Sequence, residues 1–84
     1  MAFEIIWSDP AIRHLKKLDR SVARRIFDKV GDLAENPHRF VQKLVNSPYY
    51  RLRVGEHQVI LDIEGEVLRI SVLKTGHRAS IYDR

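Results

Sequence analysis

The 84-residue chain contains no cysteine. Disulfides, thiolate zinc sites and a cysteine nucleophile are therefore excluded, and a reducing compartment fits. No stretch approaches the roughly 20 consecutive apolar residues needed to cross a bilayer, so no membrane partner is expected. The opening Met1-Ala2-Phe3-Glu4 carries a negative charge and lacks the basic segment and apolar run of a signal peptide, which makes the cytoplasm the expected location. Repeats, low-complexity tracts and linkers are missing, as are a glycine-rich phosphate loop and a Ser-His-Asp order. His14, His38 and His57 show no metal-ligand spacing with carboxylates or with one another, so neither a metal nor another cofactor is assigned.

What is present describes one compact domain, residues 1–84. A hydrophobic content of 44% with 31% charged residues is that of a globular protein rather than a disordered tail. A chain this short buries only about two-thirds of the surface its unfolded form exposes, so its core is thin. The net charge of +4 gives a positive field that favours polyanions, nucleic acid and acidic protein alike.

Periodicity divides the chain. Phe3 to Trp7 is a short apolar run of strand type. Ser8-Asp9-Pro10 reads as an N-cap followed by proline in a first helical turn, and Ile12, Leu15 and Leu18 supply that helix's apolar stripe. Asp19 or Ser21 can cap a second helix, in which Val22, Ile26, Phe27, Val30, Leu33 and Ala34 recur at helical spacing until Asn36-Pro37. From Pro48 the period becomes two: a strand over Tyr49 to Val54, a Gly55-Glu56 turn, a strand over His57 to Ile63, a Glu64-Gly65 turn and a strand over Val67 to Leu73. Lys74-Thr75-Gly76 is expected to break this last strand before the tail His77 to Arg84. The fold expected is α+β: an N-terminal strand, an antiparallel helical hairpin and a three-stranded antiparallel meander in one twisted sheet, with both helices on one face.

On a strand, alternate side chains share a face, so Arg51 and Arg53 project together while Tyr50, Leu52 and Val54 take the other side. Read blandly, the pair is two solvated charges on an exposed strand. The functional reading is a cationic floor for a sugar-phosphate backbone, since the opposite sheet face must carry the helices and arginine suits bidentate phosphate contacts. His77 and Arg78 follow the Gly76 break, where their side chains can turn towards the arginine face or belong to an ordinary polar tail. Tyr82 serves either as a peg in the core or as a stacking platform for a base. Together, Arg51, Arg53, His77, Arg78 and Tyr82 can hold a phosphate, stabilise its extra charge and move a proton, as a small ribonuclease must. Arg24, Arg25, Lys29, Arg39 and Lys43 either extend that footprint or solvate the surface. Asp62, Glu64 and Glu66 sit by a turn and read as solvated.

With these residues in hand, the chain resembles toxins of the RelE/ParE superfamily, and most closely the RelE-type messenger-RNA endonucleases of archaea and bacteria. The resemblance spans nearly the full length. It rests on the initial strand, Ala11 to Leu18 as an A-x-x-x-L-x-x-L helix, the second helix ending at Asn36-Pro37, Lys43-Leu44 ahead of Tyr50-Arg51-Leu52-Arg53-Val54-Gly55, and the ending Gly76-His77-Arg78-Ala79-Ser80-Ile81-Tyr82, similar to G-H-R-x-x-x-Y. It implies a ribosome-dependent endoribonuclease that cuts messenger RNA, neutralised by a cognate RelB-like antitoxin and meeting DNA only within the toxin–antitoxin complex. A 2′-hydroxyl of the messenger would attack the adjacent phosphorus, leaving a 2′,3′-cyclic phosphate and a 5′-hydroxyl. That reaction requires positioning, charge stabilisation and proton transfer, and no metal if cations supply the charge.

By the same resemblance, Arg51 and Arg53 occupy places where relatives carry basic residues, sometimes lysines. Arg78 matches the basic residue of the C-terminal motif and Tyr82 its catalytic or stacking tyrosine. Lys43 and Gln58 join the arginines as expected RNA contacts. One departure stands out: relatives place another arginine on the second meander strand after an aromatic residue, where this chain has His57-Gln58. Glutamine can hydrogen-bond a phosphate but cannot neutralise it, and arginine cannot readily act as a base, so proton transfer is expected at His77 or Tyr82. Two other functions stay open. One is a ParE-like inhibitor of DNA gyrase without nuclease activity; the other is a weakened toxin that retains antitoxin binding.

Overall fold

The computed structural model describes residues 2–77, so Arg78 and Tyr82 of the C-terminal motif lie outside the described residues. Strand β1 (Glu4–Trp7) leads into helices α1 (Asp9–Lys16) and α2 (Arg20–Gly31) and a 3-10 turn (Asp32–Ala34). Four strands follow: β2 (Val41–Lys43), β3 (Tyr50–Val54), β4 (His57–Glu64) and β5 (Arg69–His77). They form one sheet in the order β1-β5-β4-β3-β2. β1 runs parallel to β5, and the other neighbours are antiparallel. This is the expected α+β architecture with both helices on one face.

Local chemistry explains the helix starts. Ser8 is the N-cap of α1 in extended conformation; its Oγ accepts from the Ala11 amide at 3.2 Å and donates to the Leu73 carbonyl at 2.8 Å. One hydroxyl thus satisfies an orphan helix donor and ties α1 to β5. At α2, Asp19 rather than Ser21 holds the N-cap position, through its backbone carbonyl, which accepts from Ala23 at 2.9 Å. The helix yields to the 3-10 turn after Gly31, which places Leu33 in the core ahead of Asn36-Pro37.

Ala11, Ile26, Val30 and Leu33 of the helical layer pack against Leu52, Val54, Val59, Leu61, Ile70 and Val72 of the sheet, all buried. Each large aliphatic side chain among them contributes about 1.5–3 kcal/mol by leaving water. Gly55 closes the β3–β4 hairpin at φ +61°, a left-handed conformation that suits glycine. No helix among the described residues is long and apolar enough to cross a membrane.

The meander differs from expectation in three places. β2 was not foreseen: three residues are too few to display a period of two, yet Val41 pairs with Leu52 and adds a strand beside β3. The β4–β5 turn runs to Leu68, so β5 begins at Arg69 rather than Val67; Leu68 sits at φ +53° with its carbonyl accepting from the Glu4 amide at 2.8 Å. Finally, Lys74-Thr75-Gly76 does not break β5. Ile60 pairs with Lys74 while Leu61 pairs with Val72, leaving Leu73 as the extra residue of a β-bulge. The strand continues with its face assignment shifted by one, a slip that in the sequence looks like an ending.

Candidate nucleic-acid interface

Register fixes the two arginines. Arg51 pairs with Ile60 and Arg53 with Gln58, whereas the alternate pair Leu52 and Val59 belongs to the helix-facing core. Both guanidinium groups therefore rise from the side opposite the helices. Arg53 is exposed, and Arg51 is half-buried, its Nη2 donating to Gln42 Oε1 on β2 at 2.6 Å. That contact orients the guanidinium along the sheet.

The bulge at Leu73 adds a cation that sequence reading missed. Without it, Lys74 would stay in phase with Ile70 and Val72 and point under the helices. With it, Lys74 stands opposite Ile60 on the arginine face, and Thr75 turns inward. A concavity of about 650 Å³ opens here, lined by Lys43, Arg51 and Lys74 together with Leu44, Val45, Tyr49, Ile60 and Leu73; no described lining residue is a carboxylate. Lys43 lies at its rim, its Nζ donating to the Ser47 carbonyl at 2.9 Å.

Two expected site residues sit differently from the arginines. Gln58 lies on the arginine face and lines the cavity, where it is fully buried. His77 does not turn towards the arginines. Because β5 continues, His77 pairs with His57, whose phase on β4 is that of Val59 and Leu61, and the two rings meet edge-on at 5.7 Å. Both belong to the helix side of the sheet. There His14 of α1 bonds Thr75 through Nδ1 and Oγ1 at 2.7 Å. The His14 ring is held below its ordinary pKa of 6.5, mainly by burial and then by the charges of His57 and Lys17. Three histidines thus gather away from the arginines, and among the described residues no group of metal-binding side chains has the geometry to hold an ion.

A second concavity lies where the two helices and the end of β1 meet. Trp7, Ile12, Leu15, Leu18, Ala23 and Phe27 form an apolar groove with Lys16 and Arg20 at its edge. Trp7 and Phe27 stack with centroids 5.7 Å apart, and Phe27 remains 54% exposed. The groove therefore leaves aromatic and aliphatic surface open to solvent.

The family model of the ParE toxin of type II toxin-antitoxin system, parDE, matches residues 5–82. No curated protein matches the sequence. Among solved structures, the chain is similar to the toxin-antitoxin complex RelBE2 from Mycobacterium tuberculosis, with TM-score 0.85 and 22% identity over 93% of this chain and 100% of that one. It is also similar to the archaeal RelE-RelB complex from Pyrococcus horikoshii OT3, with TM-score 0.80 and 25% identity over 93% of this chain and 97% of that one. A YoeB/ParE toxin from Agrobacterium tumefaciens aligns with TM-score 0.71 and 15% identity, covering 89% of this chain and 98% of that one.

Proposed function

The chain belongs to the ParE toxin family of type II toxin–antitoxin systems, within the RelE/ParE superfamily, and from that premise we propose that it is a ribosome-dependent, RelE-like endoribonuclease. The observation that carries this reading is the grouping of Arg51, Arg53 and Lys74 on the sheet face away from the helices, where Arg51 and Lys74 line a cavity without a described carboxylate. Phosphoryl transfer from messenger to its own 2′-hydroxyl accumulates negative charge on the phosphate oxygens. Fixed cations stabilise that charge without reorganisation. Arg51 and Arg53 clamp the scissile phosphate, Lys43 holds the flanking backbone, and Arg78 and Tyr82 of the C-terminal motif complete the set by charge and by proton transfer or stacking. His77 takes no part, since it stands on the other side of the sheet. The cytoplasm is the place of action in this reading, with ribosome and messenger as the targets.

A cognate antitoxin is the expected partner, supported by the toxin–antitoxin complexes among the similar structures. Its seat is the groove of Trp7, Ile12 and Phe27, whose basic edge at Lys16 and Arg20 selects an acidic amphipathic helix.

A second reading is favoured by one residue. Gln58 is buried and neutral where the resemblance anticipates an arginine, and a face with less charge suits a ParE-like inhibitor of DNA gyrase. Two assays separate them. Primer extension on messenger from translating ribosomes detects cleavage, and a supercoiling assay detects gyrase inhibition. Cleavage without inhibition supports the nuclease; inhibition with intact messenger overturns it.

A further inference from the structure

We propose that the cavity between the β2–β3 loop and β5 is a subsite for one nucleotide of single-stranded RNA, with Tyr49 stacking the base and Lys74 holding the flanking phosphate. This deepens the nuclease reading and rests on it. Arg51, Ile60 and Lys74 are aligned across three neighbouring strands, which sets the backbones of the two cationic residues roughly 10 Å apart at about 4.8 Å per strand. Between them lies an apolar floor of Ile60 and Leu73. A cation on each side of an apolar, aromatic-walled pocket is the arrangement that accommodates a base with a phosphate at either end. The volume of about 650 Å³ suits a small ligand.

The platform is held in place before any ligand arrives. The Leu44 amide donates to the Tyr49 carbonyl at 3.0 Å, the Tyr49 amide donates to Ser47 Oγ at 3.1 Å, and Lys43 reaches the Ser47 carbonyl at 2.9 Å. Asn46 takes the left-handed turn position between them at φ +56°. Tyr49 itself is 38% exposed and Val45 at the loop tip 87% exposed, apolar surface that solvation alone does not explain. The bulge at Leu73 supplies the independent second half: it re-aims Lys74 into the cavity beside Leu73, a use to which bulges beside binding sites are commonly put. Tyr49 and Lys74 are positioning residues here, setting which nucleotide sits beside the scissile phosphate.

The test titrates the full chain with 5′-phosphorylated trinucleotides in which every 2′-hydroxyl is methylated, so that cleavage is blocked, varying the central base. Fluorescence anisotropy reads affinity. Lys74→Ala is expected to weaken all of them about tenfold, whereas Tyr49→Ala compresses the spread between bases and Tyr49→Phe restores it. Unchanged affinity and spread in both alanine variants would overturn the subsite, as would binding of an acidic peptide at the cavity with none of the trinucleotides. Primer extension with the same variants separates this inference from its premise. If the wild-type chain cuts messenger and the variants keep its nucleotide preference, the subsite fails while the nuclease stands. If the wild-type chain never cuts yet binds trinucleotides through Tyr49 and Lys74, the nuclease fails while the subsite stands.

Discussion

Arg51 and Arg53 stay protonated at any accessible pH, which makes them dependable clamps for charge and poor acceptors of protons. Replacing both with alanine is expected to lower messenger cleavage on ribosomes by at least about 10²–10³-fold, the usual effect of losing one preorganised partner of a developing charge. Because both project from the side away from the core, the melting temperature should be nearly unchanged; a large drop would mean that the arginines hold the fold rather than the reaction. His14 behaves differently. Its pKa is held below 6.5 in the folded chain, first by burial and then by His57 and Lys17, so the unfolded chain binds the proton more readily. Stability from this group is complete above pH 6.5 and is lost as the pH falls towards the lowered folded value. Thermal melts between about pH 7.5 and about pH 5 should show a declining midpoint, and His14→Asn, which keeps a hydrogen-bonding group for Thr75, should flatten that decline. The arginine pair was legible because two-residue alternation is a local property. The burial of Gln58 was not, because on paper its strand position is as open as that of Arg53.

At the scale of elements, one serine does two jobs. Ser8→Ala removes the cap of α1 and the bond to the Leu73 carbonyl, so a loss of about 1–2 kcal/mol is expected, at the upper end for a helix cap. Urea denaturation measures it, and a loss below about 0.5 kcal/mol would mean that the link to β5 adds nothing. The helices and the β3–β4 hairpin were readable from caps, periodicity and Gly55, all of which act within a few residues. The errors cluster on β5. Whether Lys74-Thr75-Gly76 ends a strand or continues it past a bulge depends on partners far away in the chain: Ile60 and Leu61 across the ladder, Ser8 at the end of β1 and His14 on α1. The misplacement of His77 and the omission of Lys74 both follow from that one unseen residue of slippage.

For the whole molecule, opposite sides of the sheet differ in chemistry. The helical side presents an apolar groove, and the other presents cations. Phe27→Asp in the groove is expected to weaken capture of the cognate antitoxin by about 30-fold or more, as for the loss of a central aromatic anchor, while messenger cleavage in the absence of antitoxin is retained. Pull-down and primer extension on the same preparation decide this: undiminished capture would place the antitoxin's seat elsewhere, and parallel loss of both activities would mean that Phe27 holds the fold rather than the partner. The fold class was recoverable from the sequence because the order of elements admits few arrangements. The parallel partnership of β1 and β5 was not, since nothing local announces it. That partnership has a consequence for biosynthesis. Strand β1 is synthesised before its neighbour, β5, with both helices and three other strands made in between, so the nascent chain cannot complete this sheet until β5 has been made. The cationic face inherits the same delay: Lys74 joins Arg51 only once β5 has docked beside β4, so a partly synthesised chain carries an unfinished surface.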